Sequence, residues 1–141
     1  MSNPKKIVLD ANIVVRAVLG KKVRELIQEF SPTTQFFTPD LCLDDAVKYL
    51  PILFQKRNLP PDEALAVLAG LIHLIEIVDA DVYSGYEVEA KQRIAARDVN
   101  DWPIVAAALL LDCPIWTEDN DFFGCGVAIW TTDRIRLFLA A

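Results

Sequence analysis

An α/β fold, with helices covering both faces of a mainly parallel central sheet, is what three features of the sequence imply. Short apolar runs of strand length alternate with longer stretches of helical periodicity along most of the chain. The first run, Lys6 to Leu9, is apolar at the consecutive positions Ile7, Val8 and Leu9, as a strand buried on both faces must be. The chain has 141 residues and no linker, repeat or low-complexity segment, so a single domain spanning 1–141 accounts for it.

Asp10 closes the first strand. In open parallel sheets the ligand crevice lies outside the C-terminal strand ends, so a carboxylate here is placed for function as well as for capping the next helix. Asn12 and the run from Ile13 to Leu19 predict a first helix ending at Gly20; Val23 to Phe30 predicts a second, with Leu26, Ile27 and Phe30 at helical spacing. Gln35 to Thr38 is the next strand, and Pro39 announces a helix from Asp40 to Gln55 that carries Asp44 and Asp45. After the break at Asn58-Leu59-Pro60-Pro61, Asp62 to His73 is strongly helical and Glu76 to Val78 is the third strand. Ala80 to Ala96 reads as one long, half-exposed helix that delivers the chain to Asp98. Asp101 to Leu111 is a further helix, followed by a strand at Ile115-Trp116, a loop with Asp119 and Asp121, a last strand from Val127 to Trp130 and a terminal helix from Asp133 to Leu139.

Hydrophobic residues make up 53% and charged residues 24%, which excludes a disordered chain. The longest apolar stretches, Ala64 to Ile75 and Pro103 to Leu111, fall short of the roughly 18 residues of a membrane span. The opening MSNPKKIVLD passes from a polar arm straight into a strand, without the apolar segment of a signal peptide, so a soluble protein is expected. Cys42, Cys113 and Cys125 are odd in number and lack CxxC or Cys/His spacing, which points to reduced thiols in the cytoplasm and away from structural zinc. The net charge of −6 argues against broad nucleic-acid binding, yet allows a nuclease whose acidic pocket accounts for much of the imbalance.

The richest stretch is RDVNDWPIVAAALLLDCPIWTEDNDFF, from Arg97 to Phe123. It is an apolar helix with an acidic pair at each end, Asp98/Asp101 and Asp119/Asp121. With the strands parallel, these acids, Asp10 and the Asp44/Asp45 turn all reach the C-terminal edge of one sheet. Carboxylates crowded there raise one another's pKa unless a cation neutralises them. Hard oxygen ligands with no His or Cys partner point to Mg²⁺ or Mn²⁺, which activates water and stabilises in-line displacement at phosphorus. Asp40, Asp62 and Asp133 read as helix caps, and Asp101, Asp119 and Asp121 have capping or turn readings beside the functional one. His73 reads as a core or interface residue, and Trp102, Trp116 and Trp130 as packing around the sheet edge. Lys21, Lys22 and Arg24, with Lys56 and Arg57, are the candidates for phosphate contacts. Arg16 and Arg97 are candidates for touching the acidic pocket.

LDANI at Leu9 to Ile13, TPDLCLDDAVKYL at Thr38 to Leu50, RDVNDWPIVAAAL at Arg97 to Leu109 and WTEDNDFF at Trp116 to Phe123 resemble the four acidic motifs of a PIN domain. They stand in order and over nearly the whole chain, and the likeness is to the small single-domain type similar to VapC toxins. That resemblance implies an Mg²⁺- or Mn²⁺-dependent endoribonuclease, often a homodimer, inhibited by a small antitoxin protein. It implies Asp10, Asp45, Asp101 and Asp119 as the catalytic, metal-holding set, with Asn12, Asp44, Asp98, Thr117 and Asp121 as auxiliaries. Where the family has a glutamate in its second motif this chain has Asp45, with Asp44 as the alternative ligand. A catalytically inactive PIN-like binding module is the other reading. Asp10 after a first strand is also similar to haloacid-dehalogenase-like enzymes and receiver domains, but Asn12 stands where the former have a second aspartate, and Lys91 is not placed as the latter require.

Overall fold

The computed structural model describes residues 4–141; the start of the polar arm, Met1 to Asn3, lies outside them. Five strands form one sheet: β1 (Lys5–Leu9), β2 (Thr34–Pro39), β3 (Ile75–Val78), β4 (Ile115–Trp116) and β5 (Ile129–Trp130). They lie in the order β3-β2-β1-β4-β5, and every neighbouring pair is parallel. The expected fold class is the one observed.

Alternation along the central strand creates two cores. Ile7 and Leu9 enter one and Val8 the other, all three without exposure. The first core is built from α1 (Ala11–Leu19), α2 (Lys22–Phe30), most of α3 (Asp40–Lys56), α4 (Pro61–Ile72) and α8 (Ile135–Leu139). The second takes α5 (Ala80–Tyr83), α6 (Glu87–Arg93) and α7 (Trp102–Leu111). Helix α7 buries Pro103 to Ala108 consecutively, because it is enclosed by β1, β2 and β4 beneath it and by α5 and α6 at its sides. Three successive alanines, Ala106 to Ala108, keep that helix thin enough to approach the sheet closely. Pro103 sits in the first turn, where its missing N–H has no intrahelical partner to lose.

Several elements differ from expectation. The long helix over Ala80 to Ala96 is broken into α5, a 3₁₀ turn (Ser84–Tyr86) and α6, and it ends at Arg93. Ser84 and Gly85 are weak helix formers, and with Tyr83 fully buried as an anchor the chain bends at them. The last strand is only Ile129–Trp130. Gly124 and Gly126 both hold φ +86°, outside extended geometry, and a side chain at Gly126 would run into the Arg93 guanidinium, which donates to the Cys125 carbonyl at 2.9 Å. The terminal helix starts at Ile135, since Thr131 spends its hydroxyl on the Asp133 carboxylate and its carbonyl on the Arg134 and Ile135 amides.

Asp40 is not the cap of its own helix; Pro39 is. The Asp40 carboxylate accepts from the Leu41 amide in its own first turn at 2.8 Å and also from the Ala80 amide at 2.9 Å and the Tyr83 hydroxyl at 2.7 Å, so it secures the start of α5 from α3. Asp62 lies in the first turn of α4 behind its cap Pro60. His73 is exposed at the end of α4 rather than in the core. Trp116 is fully buried, whereas Trp102 stacks edge-on against Tyr83 and Trp130 tilts against Phe138. Among the described residues no helix is long and apolar enough to cross a membrane.

Candidate active site

The strand order makes β1 the point where the chain reverses its direction of travel. From β1 it builds β2 and β3 on one side, then returns to place β4 and β5 on the other. Loops leaving β1 and β4 therefore diverge, and a crevice opens between their C-terminal ends. Asp10 leaves β1 and Thr117 leaves β4 at that crevice. The Asp10 amide donates to the Trp116 carbonyl at 3.3 Å, which continues the sheet one residue further.

Asp10 is the N-cap of α1: its Oδ1 accepts from the Ile13 amide at 2.9 Å, while Oδ2 accepts from the Thr117 hydroxyl. The carboxyl group is only 4% exposed, and burial pushes its pKa up to about 6 against the lowering effect of those two hydrogen bonds, with the charges of Asp119 and Glu118 adding to the rise. Thr117 is fully buried, and its Oγ also accepts from the Asp119 amide at 3.0 Å. One hydroxyl thus ties the first acidic position to the fourth.

The opposite wall comes from the turn before α7. Asp98 does not share a helical face with Asp101; it caps a 3₁₀ turn (Val99–Asp101) by accepting from the Asn100 amide at 3.0 Å, and Asp101 is the turn's last residue. Asp101 is half-buried, and its pKa rises to about 7 through burial first, then the charges of Asp98, Asp119, Asp10 and Asp121. Asp119 caps a third 3₁₀ turn (Asn120–Phe122) through the Asp121 amide at 2.9 Å. Carboxylate oxygens of Asp101, Asp119 and Asp121 lie within 4.8 Å of one another. Arg97 reaches Asp121 at 3.9 Å, so it stands beside the acids as expected.

The first two turns of α3 form the third wall. Asp44 and Asp45 are both exposed there, and both line a cleft of about 510 Å³ together with Asp10, Asn12, Asp101 and Asp119. Asp98, Thr117 and Asp121 are outside this lining: Asp98 shapes the turn before α7, buried Thr117 orients Asp10, and Asp121 keeps its carboxylate beside those of Asp101 and Asp119. Lys21 and Lys22 lie elsewhere, beside a second cavity with Arg16. Arg24 lines neither cavity; its Nη1 donates to the Ala17 and Val18 carbonyls at 3.4 Å, at the end of α1.

Four residues of the site escaped sequence reasoning. Asn100 and Tyr49 line the cleft, and Cys42 lies beneath it, its thiol pushed up to about 12 by burial and then by the charge of Asp10. Glu118 accepts from the Thr132 amide at 2.6 Å and adds its charge behind Asp10. Only Asn100, between Asp98 and Asp101, carried a signal in its position.

A pocket in which two carboxyls are forced towards neutrality is short of positive charge. Its donors are all oxygens, with no nitrogen ligand and only one deeply buried thiol, so the residues present fit a hard divalent cation. A family model for the PIN domain matches residues 8–140.

The chain belongs to the PIN domain family.

PIN domains are generally nucleases, and they typically use divalent metal ions. Solved structures agree on the fold. A chain in the structure of VapBC2 from Rickettsia felis, bound to a DNA fragment from its promoter, superposes with a TM-score of 0.71 at 13% identity, covering 89% of this chain and 98% of that one. PAE2754 from Pyrobaculum aerophilum gives 0.70 at 13% identity, covering 96% and 90%. A chain of the DNA-bound VapBC from Salmonella typhimurium gives 0.70 at 18% identity, covering 91% and 98%. Among curated proteins none matches this PIN domain by sequence.

Proposed function

We propose that this PIN domain is an endoribonuclease dependent on Mg²⁺ or Mn²⁺, and the toxin of a toxin–antitoxin pair. The observation that carries the reading is the convergence of Asp10, Asp101 and Asp119 on one cleft at the sheet's switch point, with two of the three held well above the usual carboxylate range. Asp10, Asp101 and Asp119 would hold the cation, with Asp45 or Asp44 completing the set from α3. When bound, such an ion supplies charge neutralisation at phosphorus and activation of a water molecule.

The chain's own residues do the rest. Thr117 orients Asp10 and holds the Asp119 loop against it. Asp98 fixes the 3₁₀ turn that presents Asp101, and Asp119 caps its own turn by accepting from the Asp121 amide. Asn12, exposed at the cleft's mouth, offers an amide to substrate or to the ligand sphere. Two fold relatives come from VapBC structures, which supports an antitoxin partner. Val47 and Ile52 on α3, with Leu65 and Ile72 on α4, are exposed apolar side chains outside the cleft that support a homodimer. A reducing, cytoplasmic setting suits three free cysteines.

The test is cleavage of single-stranded RNA with Mn²⁺, in excess EDTA, and by Asp101→Asn. Activity with Mn²⁺ alone, lost in the other two arms, is the expected result; equal activity in EDTA overturns the reading. A binding module without catalysis is the second reading, favoured by Asp44 and Asp45 standing exposed on shorter side chains than the family's glutamate. It predicts RNA or protein binding with no cleavage under any metal.

A further inference from the structure

Alongside the acidic cleft lies a second cavity of about 320 Å³, and its lining is opposite in charge: Arg16, Lys21, Lys22 and Arg57, with Leu19 and Thr132. Among the described residues none of these four cations is in an ion pair, although the protein carries an excess of six negative charges. Lys22 contributes to lowering the Asp133 carboxyl, behind the larger effect of the Thr131 hydroxyl. The first turn of α2 forms part of the wall, and its cap residue Lys21 supplies no side-chain acceptor for the turn's amides.

Both cavities share the same two helices. On α1, Asn12 and Val15 line the acidic cleft, and Arg16 and Leu19 line the basic cavity. On α3, Asp45, Tyr49 and Leu53 recur every fourth residue along the acidic cleft, and Arg57 continues that ladder into the basic cavity. Asn12 and Arg16 are one turn apart on one face, a rise of about 6 Å. Helices α1 and α3 pack on each other, so successive turns of one helix pair line first the acidic cleft and then the basic cavity.

We propose that the Arg16–Lys21–Lys22–Arg57 cavity is a phosphate subsite for a single RNA strand whose reacting phosphodiester lies in the acidic cleft. This rests on the nuclease reading. A pocket of carboxylates repels a polyanion, and the strand must be held by cations that the pocket does not neutralise. Four cations outside any ion pair meet that need, with Arg16 one helical turn beyond Asn12 and Arg57 one turn beyond Leu53, and they read charge rather than sequence. Their concentration at one place lets a protein of negative net charge bind RNA locally.

The test is fluorescence anisotropy of a short labelled single-stranded oligouridylate in EDTA, where no cleavage occurs. Lys21→Ala/Lys22→Ala and Arg16→Gln/Arg57→Gln are compared with wild type and with Lys91→Gln, on α6 across the sheet. Each double substitution removes two phosphate contacts, which flattens the salt dependence by about 1.4 in log–log slope. The affinity lost is then about sevenfold greater at roughly 50 mM salt than at roughly 200 mM, and Lys91→Gln stays within about twofold of wild type. Unchanged affinity in both double variants overturns the subsite, as does a wild-type protein that does not bind the oligonucleotide. Binding through these cations by a protein that cuts no RNA with Mn²⁺ retains the subsite and removes the nuclease reading. Normal cleavage by both variants, with unchanged affinity, does the reverse.

Discussion

Replacing Asp10 by Asn should make the metal-free protein more stable at pH 8. The carboxyl is 4% exposed and titrates near 6, against 3.8 for an ordinary aspartate. At about 1.4 kcal/mol per pH unit, keeping it ionised in the fold costs about 3 kcal/mol. The amide still accepts from Ile13 through Oδ1, but Thr117 loses its carboxylate acceptor, at a cost of about 1 kcal/mol. A net gain of about 2 kcal/mol remains, or roughly 4–8 °C in Tm for a chain of this length. The folded pKa lies above the unfolded one, so the wild-type penalty is complete above pH 6 and fades as pH falls through 6 towards 3.8. By pH 4 it is roughly half a kcal/mol, and the variant's advantage is gone. Thermal unfolding in EDTA at pH 8 and pH 4 measures both points. A variant no more stable than wild type at pH 8, or a gain that does not shrink with acid, would refute the account of Asp10 as a strained, unneutralised carboxylate.

The remaining expectations concern the same framework. Mn²⁺ affinity should fall as pH drops from 8 to 5.5, because Asp101 near 7 and Asp10 near 6 must both lose their protons to bind a cation; calorimetric titration at the two pH values reads it, and pH-independent affinity would contradict the ligand set. Thr117→Val keeps the side chain's shape but removes the donor to Asp10 and the acceptor for Asp119, so urea midpoints should show a loss of about 2 kcal/mol at pH 8 together with loss of cleavage. Gly126→Ala meets both a left-handed backbone and the Arg93 guanidinium, and should cost about 1–3 kcal/mol without touching the acidic cleft. Wild-type stability in that variant would show that the β4–β5 connection relaxes freely.

Much of the site was legible because its signals are local. Three consecutive apolar residues ending in Asp10 can hardly be anything but a buried strand with a carboxylate at its mouth, and Pro103 after Asp101 marks a helix start wherever it occurs. Local pattern misled where a helical period ran on past a bend, as at Ser84-Gly85, and where a side chain's partner lay far along the chain. Asp40 looked like a cap for α3 alone, and beside bonding the Leu41 amide there it ties down the start of α5; Arg24 looked turned to solvent and bonds the end of α1.

The sequence by itself determined the elements, the parallel class and the order of the acidic positions, because periodicity and strand-end residues act within a few positions of themselves. Tertiary structure alone decided that β4 returns to lie beside β1, since that choice depends on how two separate cores fill on opposite faces of the sheet. With that return, Thr117 meets Asp10 across 107 residues, and Asp101 and Asp119 close on the same cleft. The raised pKa values follow from the same step, for burial and like charge act through space and leave no trace in the local pattern.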